Sequence, residues 1–426
     1  MSSGLTGKRV TFAAVLRVRE FRVLWLADSQ SAIGDQIARV ALSVLVFERT
    51  ASAVLTALTY ALTFLPALIG GVLLSGLADR LPRRRVLIGC DLIRAVLFAL
   101  MAVPRMPLWL LCLILVLAVL AETPFTAAES ALVPAILHDD HYVVGTALRT
   151  ITNQVAQLAG FAGGGIAIAL IGARAGLAVD AATFALSALL IRIGVQARPV
   201  PVGEPSADES ASAGRFGGGA LKAGLRLIFG DPRLRTLLGL AWLAGLYVVP
   251  EGVAAPYAHE VEHGATAVGL LMAAMPAGTA LGTYLFVRLV PARTRSRWMG
   301  PLGAAAGVPL IACWMLPNLP VSLVLWAASG LFFSYQVQVV TEYVRAVPDG
   351  QRGQAVGIAS SGLLAVQGIG VLLGGLVAGA WGVGWAVGGA GLVGMLLAII
   401  LTWLWAGANR ESAATALSPA GQHRRD

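Results

Sequence analysis

The sequence predicts an all-α integral membrane protein with about twelve transmembrane helices, and three observations carry that expectation. Of its 426 residues, 57% are hydrophobic and only 12% are charged, with a mean hydropathy of +0.79. A soluble chain keeps about a quarter of its residues charged, so most of this surface faces something other than water. Apolar runs near the length of roughly 20 residues that a spanning helix needs recur at 22–47, 53–77, 86–103, 107–133, 145–171, 175–197, 234–257, 266–290, 299–317, 319–341, 354–379 and 382–407. The basic residues, finally, fall on one side of this pattern.

With the N-terminus inside, the inner segments hold Lys8, Arg9, Arg17, Arg19 and Arg22, then Arg80, Arg83, Arg84 and Arg85, then Arg149 and Arg192. The same side takes the basic residues of 198–235, 288–297 and 345–352, and those of the tail. The outer loops hold only Arg49, Arg105 and Arg174. Basic residues are retained in cytoplasmic loops, so an even number of spans is expected, with both termini cytoplasmic, in the plasma membrane. The net charge of +9 then reports topology, and no nucleic-acid partner is expected. Arg17, Arg19, Glu20 and Arg22 precede a first apolar run of full length, so no cleavable signal is expected. Cys90, Cys112 and Cys313 lie in apolar stretches without a CxxC pair, which predicts neither disulfide nor zinc.

The longest polar interruption, 198–232, starts with Pro199, Pro201 and Pro205 and ends in an amphipathic stretch around Ala220–Phe229. It reads as a cytoplasmic linker between six-helix bundles at 22–197 and 233–407. A cytoplasmic N-terminal segment (1–21) and a disordered cytoplasmic tail (408–426) complete the division. The halves echo each other at an offset of about 210. Arg80-Leu81 and its arginines recur as Arg288-Leu289, and Gly163-Gly164 recurs as Gly374-Gly375. Repeated bundles with a central site are an architecture of secondary transporters. The clusters Gly160, Gly163, Gly164, Gly165 and Gly370, Gly374, Gly375, Gly379 read as tightly packed helix faces.

The loop between predicted helices 2 and 3 reads Ser75-Gly76-Leu77-Ala78-Asp79-Arg80-Leu81-Pro82-Arg83-Arg84-Arg85. It resembles the signature loop of the major facilitator superfamily, G-x-L-A-D-R-x-G-R-R, with Ser75 and Pro82 in place of the two glycines. Gly34-Asp35, Asp91-Leu-Ile-Arg94, the run from Asp180 through Thr183 and Phe184 to Ser187, and Arg352-Gly353 are similar to the drug-efflux branch that includes macrolide and siderophore exporters. Gly160-Phe161 stands where drug/proton antiporters often carry Gly-Pro. The resemblance implies two pseudo-symmetric six-helix bundles around a central cavity. It also implies that Asp79 meets the start of helix 11 when the cytoplasmic side is closed, which makes it a gate residue. An acidic side chain at a helix N-terminus gains about 0.3–1 kcal/mol. Arg80, Arg83, Arg84, Asp91 and Arg94 belong to the same gating motif, although arginines at a membrane face also serve topology. Asp91 and Arg94, three apart, are expected to pair.

Charges within the spans each cost about 2.5–3.5 kcal/mol, so each needs a partner or a water-filled cavity. Helix 1 carries Asp28, Asp35 and Arg39. Asp35 and Arg39, four apart, share a face and read either as a structural ion pair or as a proton-exchanging carboxylate tuned by an arginine. Glu122 and Glu129, seven apart on helix 4, share a face as well. Glu122 is the second proton-coupling candidate, and Glu129, nearer the inner end, reads as an ion-pair partner for an arginine. Glu251 beside Pro250 is a cavity or outer-gate candidate. Trp25, Tyr60, Phe64, Trp242, Tyr247, Phe332, Phe333, Tyr335 and Gln336 are candidates for contact with an amphiphilic ligand. The pairs His259/His263 and His138/His141 lie in loops or helix ends, and no metal site is expected.

No phosphate-binding GxxxxGK[ST] occurs, so neither an enzyme nor a cofactor is expected. The expected function is efflux of a small amphiphilic compound, such as an antibiotic, by a proton antiporter of the multidrug-resistance kind. Protons, the substrate and the lipid bilayer are the expected partners, and one chain should suffice. An importer or facilitator on the same fold, and a non-transporting membrane sensor, are the alternatives.

Overall fold

The computed structural model describes residues 10–74, 81–198, 218–315 and 318–417, and these are helices and their connections, with no strands among them. The helices are α1 (Phe12–Leu16), α2 (Arg19–Thr50), α3 (Ala53–Ala61), α4 (Leu65–Leu73), α5 (Arg83–Met101), α6 (Leu108–Ile136), α7 (Asp139–Ile171), α8 (Ala173–Gly194), α9 (Gly218–Gly230) and α10 (Pro232–Trp242). The series continues with α11 (Ala244–Tyr247), α12 (Val249–Gly252), α13 (Ala254–Glu260), α14 (Ala265–Leu289), α15 (Arg295–Ala305), α16 (Gly307–Met315), α17 (Leu319–Phe333), α18 (Tyr335–Ala346), α19 (Arg352–Trp381) and α20 (Val383–Leu417). The amphipathic stretch at the end of the linker is α9. Residues 408–417, read from sequence as tail, continue α20, because their alanines and leucine favour the helix already running.

Helix breaks follow proline. A proline lacks the N–H for its i−4 bond and crowds that carbonyl. The interruptions at Leu62, Val253 and Ala306 lie three or four residues ahead of Pro66, Pro256 and Pro309. At Val253 the chain bends by 45° between Pro232–Gly252 and Ala254–Glu260. Elsewhere the ends are capped locally: the Ser52 hydroxyl accepts from Leu55 N at the start of α3, and Asp231 caps α10 ahead of Pro232.

Among the described residues, 9 segments are long and apolar enough to cross a bilayer, or 10 if the bent pair counts as one span. The sequence predicts about twelve. The remaining two are α2 and α5, whose charges lower their apolarity: Asp28, Asp35 and Arg39 on one, Asp91 and Arg94 on the other. No more than half of any counted span is buried in the protein. Large apolar side chains such as Leu170, Leu289, Met315 and Trp403 are exposed, as lipid-facing positions are.

The chain divides into two compact units, one drawn from Met1–Leu45 and Ile69–Val202, the other from Val46–Leu68 and Gly203–Asp426. In the first, an apolar core of Phe21, Leu24, Leu87, Phe125, Leu132 and Ile191 joins α2, α5, α6 and α8. In the second, α14 and α17 cross closely, and α3 lies against α19. A Cβ on Gly375 or Gly379 of α19 would collide with Ala57 or Val54 of α3, and one on Gly370 or Gly374 with Gly245 or Val249. In the first unit, Gly160 and Gly164 press on α2, whereas Gly163 faces open space.

Helices α7 and α8 are joined by the single residue Gly172 (φ 84, ψ 157), and α19 and α20 by Gly382 (φ 96, ψ 158). Both glycines occupy a backbone region that is essentially closed to other residues, and they stand 210 positions apart, the offset of the internal echo. Gly172→Val is therefore expected to cost about 1–3 kcal/mol. Its thermal unfolding midpoint should fall below that of the wild type; an unchanged midpoint would show that the joint relaxes without strain.

Candidate functional site

The charged side chains of the first unit assemble into two rungs. Arg94 Nη2 of α5 lies 2.8 Å from Asp35 Oδ1 of α2 and 3.9 Å from Glu122 Oε2 of α6. Arg149 Nη2 of α7 lies 3.5 Å from Asp28 Oδ2 of α2 and 2.5 Å from Glu129 Oε2 of α6. Asp28 and Asp35 are two helical turns apart, as are Glu122 and Glu129, and their order is reversed between α2 and α6. Two antiparallel helices thus present two carboxylate pairs, each held by one guanidinium. The Arg94 side chain is only 6% exposed, while Glu122 is 47% exposed.

Helix α8 supports the Arg94 rung with one face, at positions i, i+4 and i+7. Asp180 is fully buried and accepts from the Thr183 hydroxyl at 3.0 Å. The Phe184 ring lies 3.9 Å beneath the Arg94 guanidinium, a cation–π contact. The Ser187 hydroxyl donates to Asp91 Oδ2 at 2.6 Å. A Cβ on Gly34 would strike Asp180 and Thr183, so the glycine before Asp35 lets α2 approach this face. Gln30 Nε2 donates to the Thr183 carbonyl at 2.8 Å.

These contacts revise the expected Asp91–Arg94 pairing and add a second cation to Asp35. Asp35 meets Arg94, with Arg39 acting on it electrostatically one turn along. Asp91 receives Ser187, and Arg94 turns to Asp35 instead. Buried charges take partners from other helices here because neighbours on one helix would leave the opposite side of each group unsatisfied. Glu129 pairs with an arginine as expected, and that arginine is Arg149.

Of the gating motif, Asp79 and Arg80 lie outside the described residues. Arg83 donates to the Ala131 carbonyl of α6 at 2.8 Å, and Arg84 donates to the Arg192 carbonyl in the last turn of α8. The second unit repeats this use of arginine: Arg295 bonds the carbonyls of Val287 and Val290 after α14, and Arg352 that of Val344 near the end of α18. Cations at helix C-termini satisfy the free carbonyls and the dipole. Arg198 closes on Glu20 at 2.5 and 2.8 Å, and the hydrogen bond raises its pKa.

In the second unit, the Tyr60 hydroxyl donates to Glu251 Oε2 at 2.8 Å, both residues being buried. Phe64, also buried, packs edge-on against Tyr60. Tyr247 is fully buried, donates to the Gly303 carbonyl at 2.6 Å, and abuts Gly394. Its ring packs the core, and Tyr335 is likewise enclosed. Phe333, half-buried, stands edge-on to both. Gln336 Nε2 reaches the Ala241 carbonyl at 3.0 Å, Trp242 Nε1 the Ala359 carbonyl at 3.1 Å, and Trp25 Nε1 the Thr152 hydroxyl at 3.0 Å. The three cysteines are free. Among the described residues, no group of three or more His, Cys, Asp or Glu is arranged to hold a metal.

A family model described as Major Facilitator Superfamily matches residues 24–263 and 252–424. The chain belongs to the major facilitator superfamily. It is therefore a multi-span membrane transporter and not an enzyme. The multidrug efflux pump Tap of Mycolicibacterium fortuitum is 27% identical over 397 residues, 90% of this chain and 95% of that one. The macrolide efflux protein A of Streptococcus pyogenes is 26% identical over 125 residues, 28% of this chain and 31% of that protein. Among solved structures, a bacterial homologue of the human lysosomal transporter Spinster superposes with a TM-score of 0.71 at 15% identity, covering 94% of this chain and 98% of that one. The peptide transporter POT gives 0.71 at 14%, covering 94% and 97%. The all-α major facilitator fold predicted from the signature loop is thus the fold of this chain. The efflux-type motifs agree with relatives that are themselves efflux proteins.

Proposed function

We propose that this transporter exports small amphiphilic compounds in exchange for protons, by alternating access, from a plasma-membrane location with both termini cytoplasmic. The observation that carries the reading is the Arg94 rung. Two carboxylates share one buried guanidinium inside membrane-spanning helices, and one of them, Glu122, is half-exposed. In this reading Asp35 and Glu122 exchange a proton while Arg94 keeps the site from carrying two uncompensated charges. Coupling requires unequal proton affinity in two states of the protein, and Asp35, gripped by Arg94, is the group whose affinity a shift of α2 against α5 would change.

The efflux relatives support the export direction, and the half-buried Trp25, Trp242, Phe333 and Gln336 remain the substrate-contact candidates. Residues 22–197 and 233–407 are the two six-helix bundles in this reading, and one chain completes the machine. Cells expressing the protein should accumulate less of at least one labelled amphiphilic drug, and a protonophore or Asp35→Asn should abolish the effect at equal membrane expression. Uptake driven by the protein, or export indifferent to the protonophore, would reject proton-coupled export.

A further inference from the structure

The Arg149 rung has no part in the reading above, yet it repeats the Arg94 rung group for group. Asp28 stands to Asp35 as Glu129 stands to Glu122, seven residues away in each helix, or about 10 Å along the axis. That separation is too long for a direct hydrogen bond between rungs, so each is its own site. The Arg149 rung is also the more enclosed: the Glu129 side chain is 5% exposed, and Asp28 and Arg149 are about one-fifth exposed.

Charge and hydrogen bonding both leave room for a proton there. With Asp28 and Glu129 ionised, one guanidinium faces two carboxylates, and the rung keeps a net negative charge within a membrane span. The surroundings do not correct this. Beyond the rung itself, Arg94 on α5 and Glu122 on α6 act on Asp28, and Asp91 on α5 acts on Glu129, so carboxylates again outnumber arginines. Moreover, Glu129 Oε2 is bonded to Arg149 whereas Glu129 Oε1 is buried with no hydrogen-bond partner. An orphaned oxygen on an ionised, buried carboxylate is costly; as O–H it carries no charge.

We propose that the Arg149 rung is a second proton-binding site, with the proton on Glu129 Oε1, so that one transport cycle moves two protons. The proton arrives from water, forms the O–H bond on Glu129 without loss of the Oε2–Arg149 contact, and returns to water when that bond breaks. No electron transfer is involved. The count of two rests on proton-coupled export; proton binding at Glu129 does not.

The test needs no substrate. Infrared spectra of the purified protein in lipid are recorded from mildly alkaline to mildly acidic pH for wild type, Glu129→Gln, Asp28→Asn and Asp35→Asn. The wild-type-minus-Glu129→Gln difference should contain a protonated-carboxyl band that grows as pH falls, and Asp28→Asn should shift that band. Identical spectra for wild type and both Arg149-rung variants would show a permanently ionised structural triad and overturn the proposal. If Glu129→Gln does not fold, the Asp28→Asn shift decides alone. A band lost in Glu129→Gln with none lost in Asp35→Asn would remove Asp35 from proton coupling and leave this second site standing.

Discussion

Replacement of Arg94 by leucine is expected to destabilise the protein by about 3–5 kcal/mol, the range found when one partner of a buried ion pair is removed. Leucine fills most of the volume above Phe184, so packing is largely kept. What is lost is the Arg94 guanidinium's contact with Asp35 and Glu122 and its cation–π contact with Phe184. The thermal unfolding midpoint of the detergent-purified variant should fall sharply. Addition of Asp35→Asn to Arg94→Leu should restore part of the loss, since an amide leaves no charge to compensate. A double variant no more stable than Arg94→Leu alone would mean that Asp35 is not the group Arg94 neutralises.

The second large effect is expected where α14 crosses α17. A Cβ on Gly278 would overlap the Ala327 carbonyl, one on Gly282 the Leu331 carbonyl, and one on Gly330 the Met275 carbonyl. All three obstacles are backbone, so no side chain can rotate away and the helices must separate. Gly278→Ala should cost at least the about 1–3 kcal/mol typical of overpacking, and Gly278→Val more. Gly163→Ala supplies the contrast, because its Cβ meets nothing within 4 Å. There the gain in helix propensity, about 0.5–1 kcal/mol, should leave the midpoint unchanged or raised. Equal midpoints for Gly278→Val and Gly163→Ala would deny the close crossing.

These two sites show what could and could not be read from the chain. The glycine clusters and the seven-residue spacing of Glu122 and Glu129 are visible in sequence, because helical periodicity fixes which residues share a face. The same spacing in Asp28 and Asp35 carries the matching signal on α2. Which cation serves each carboxylate is not visible. Arg94 and Arg149 arrive from α5 and α7, and only tertiary packing brings them to α2 and α6. The spacing of Asp91 and Arg94 suggests a local pair, and the structure gives each a partner on another helix instead. Arg149 was counted for topology, yet it also binds two carboxylates. Tyr247 has the chemistry of a ligand contact, but residue type does not say which way a ring points, and it points into the core. Helices α2 and α5 look too polar for a span because the energy of their charges is recovered inside the protein.

The single-glycine joints at Gly172 and Gly382 bear on how this protein can be handled. With no loop between α7 and α8, or between α19 and α20, an epitope tag or protease site placed there would interrupt two helices at once. Both joints are therefore poor positions for insertion mapping. The exposed neighbours Arg174 and Trp381 suit a single cysteine and a small thiol reagent, which can report on these ends of the molecule with the backbone left as it is.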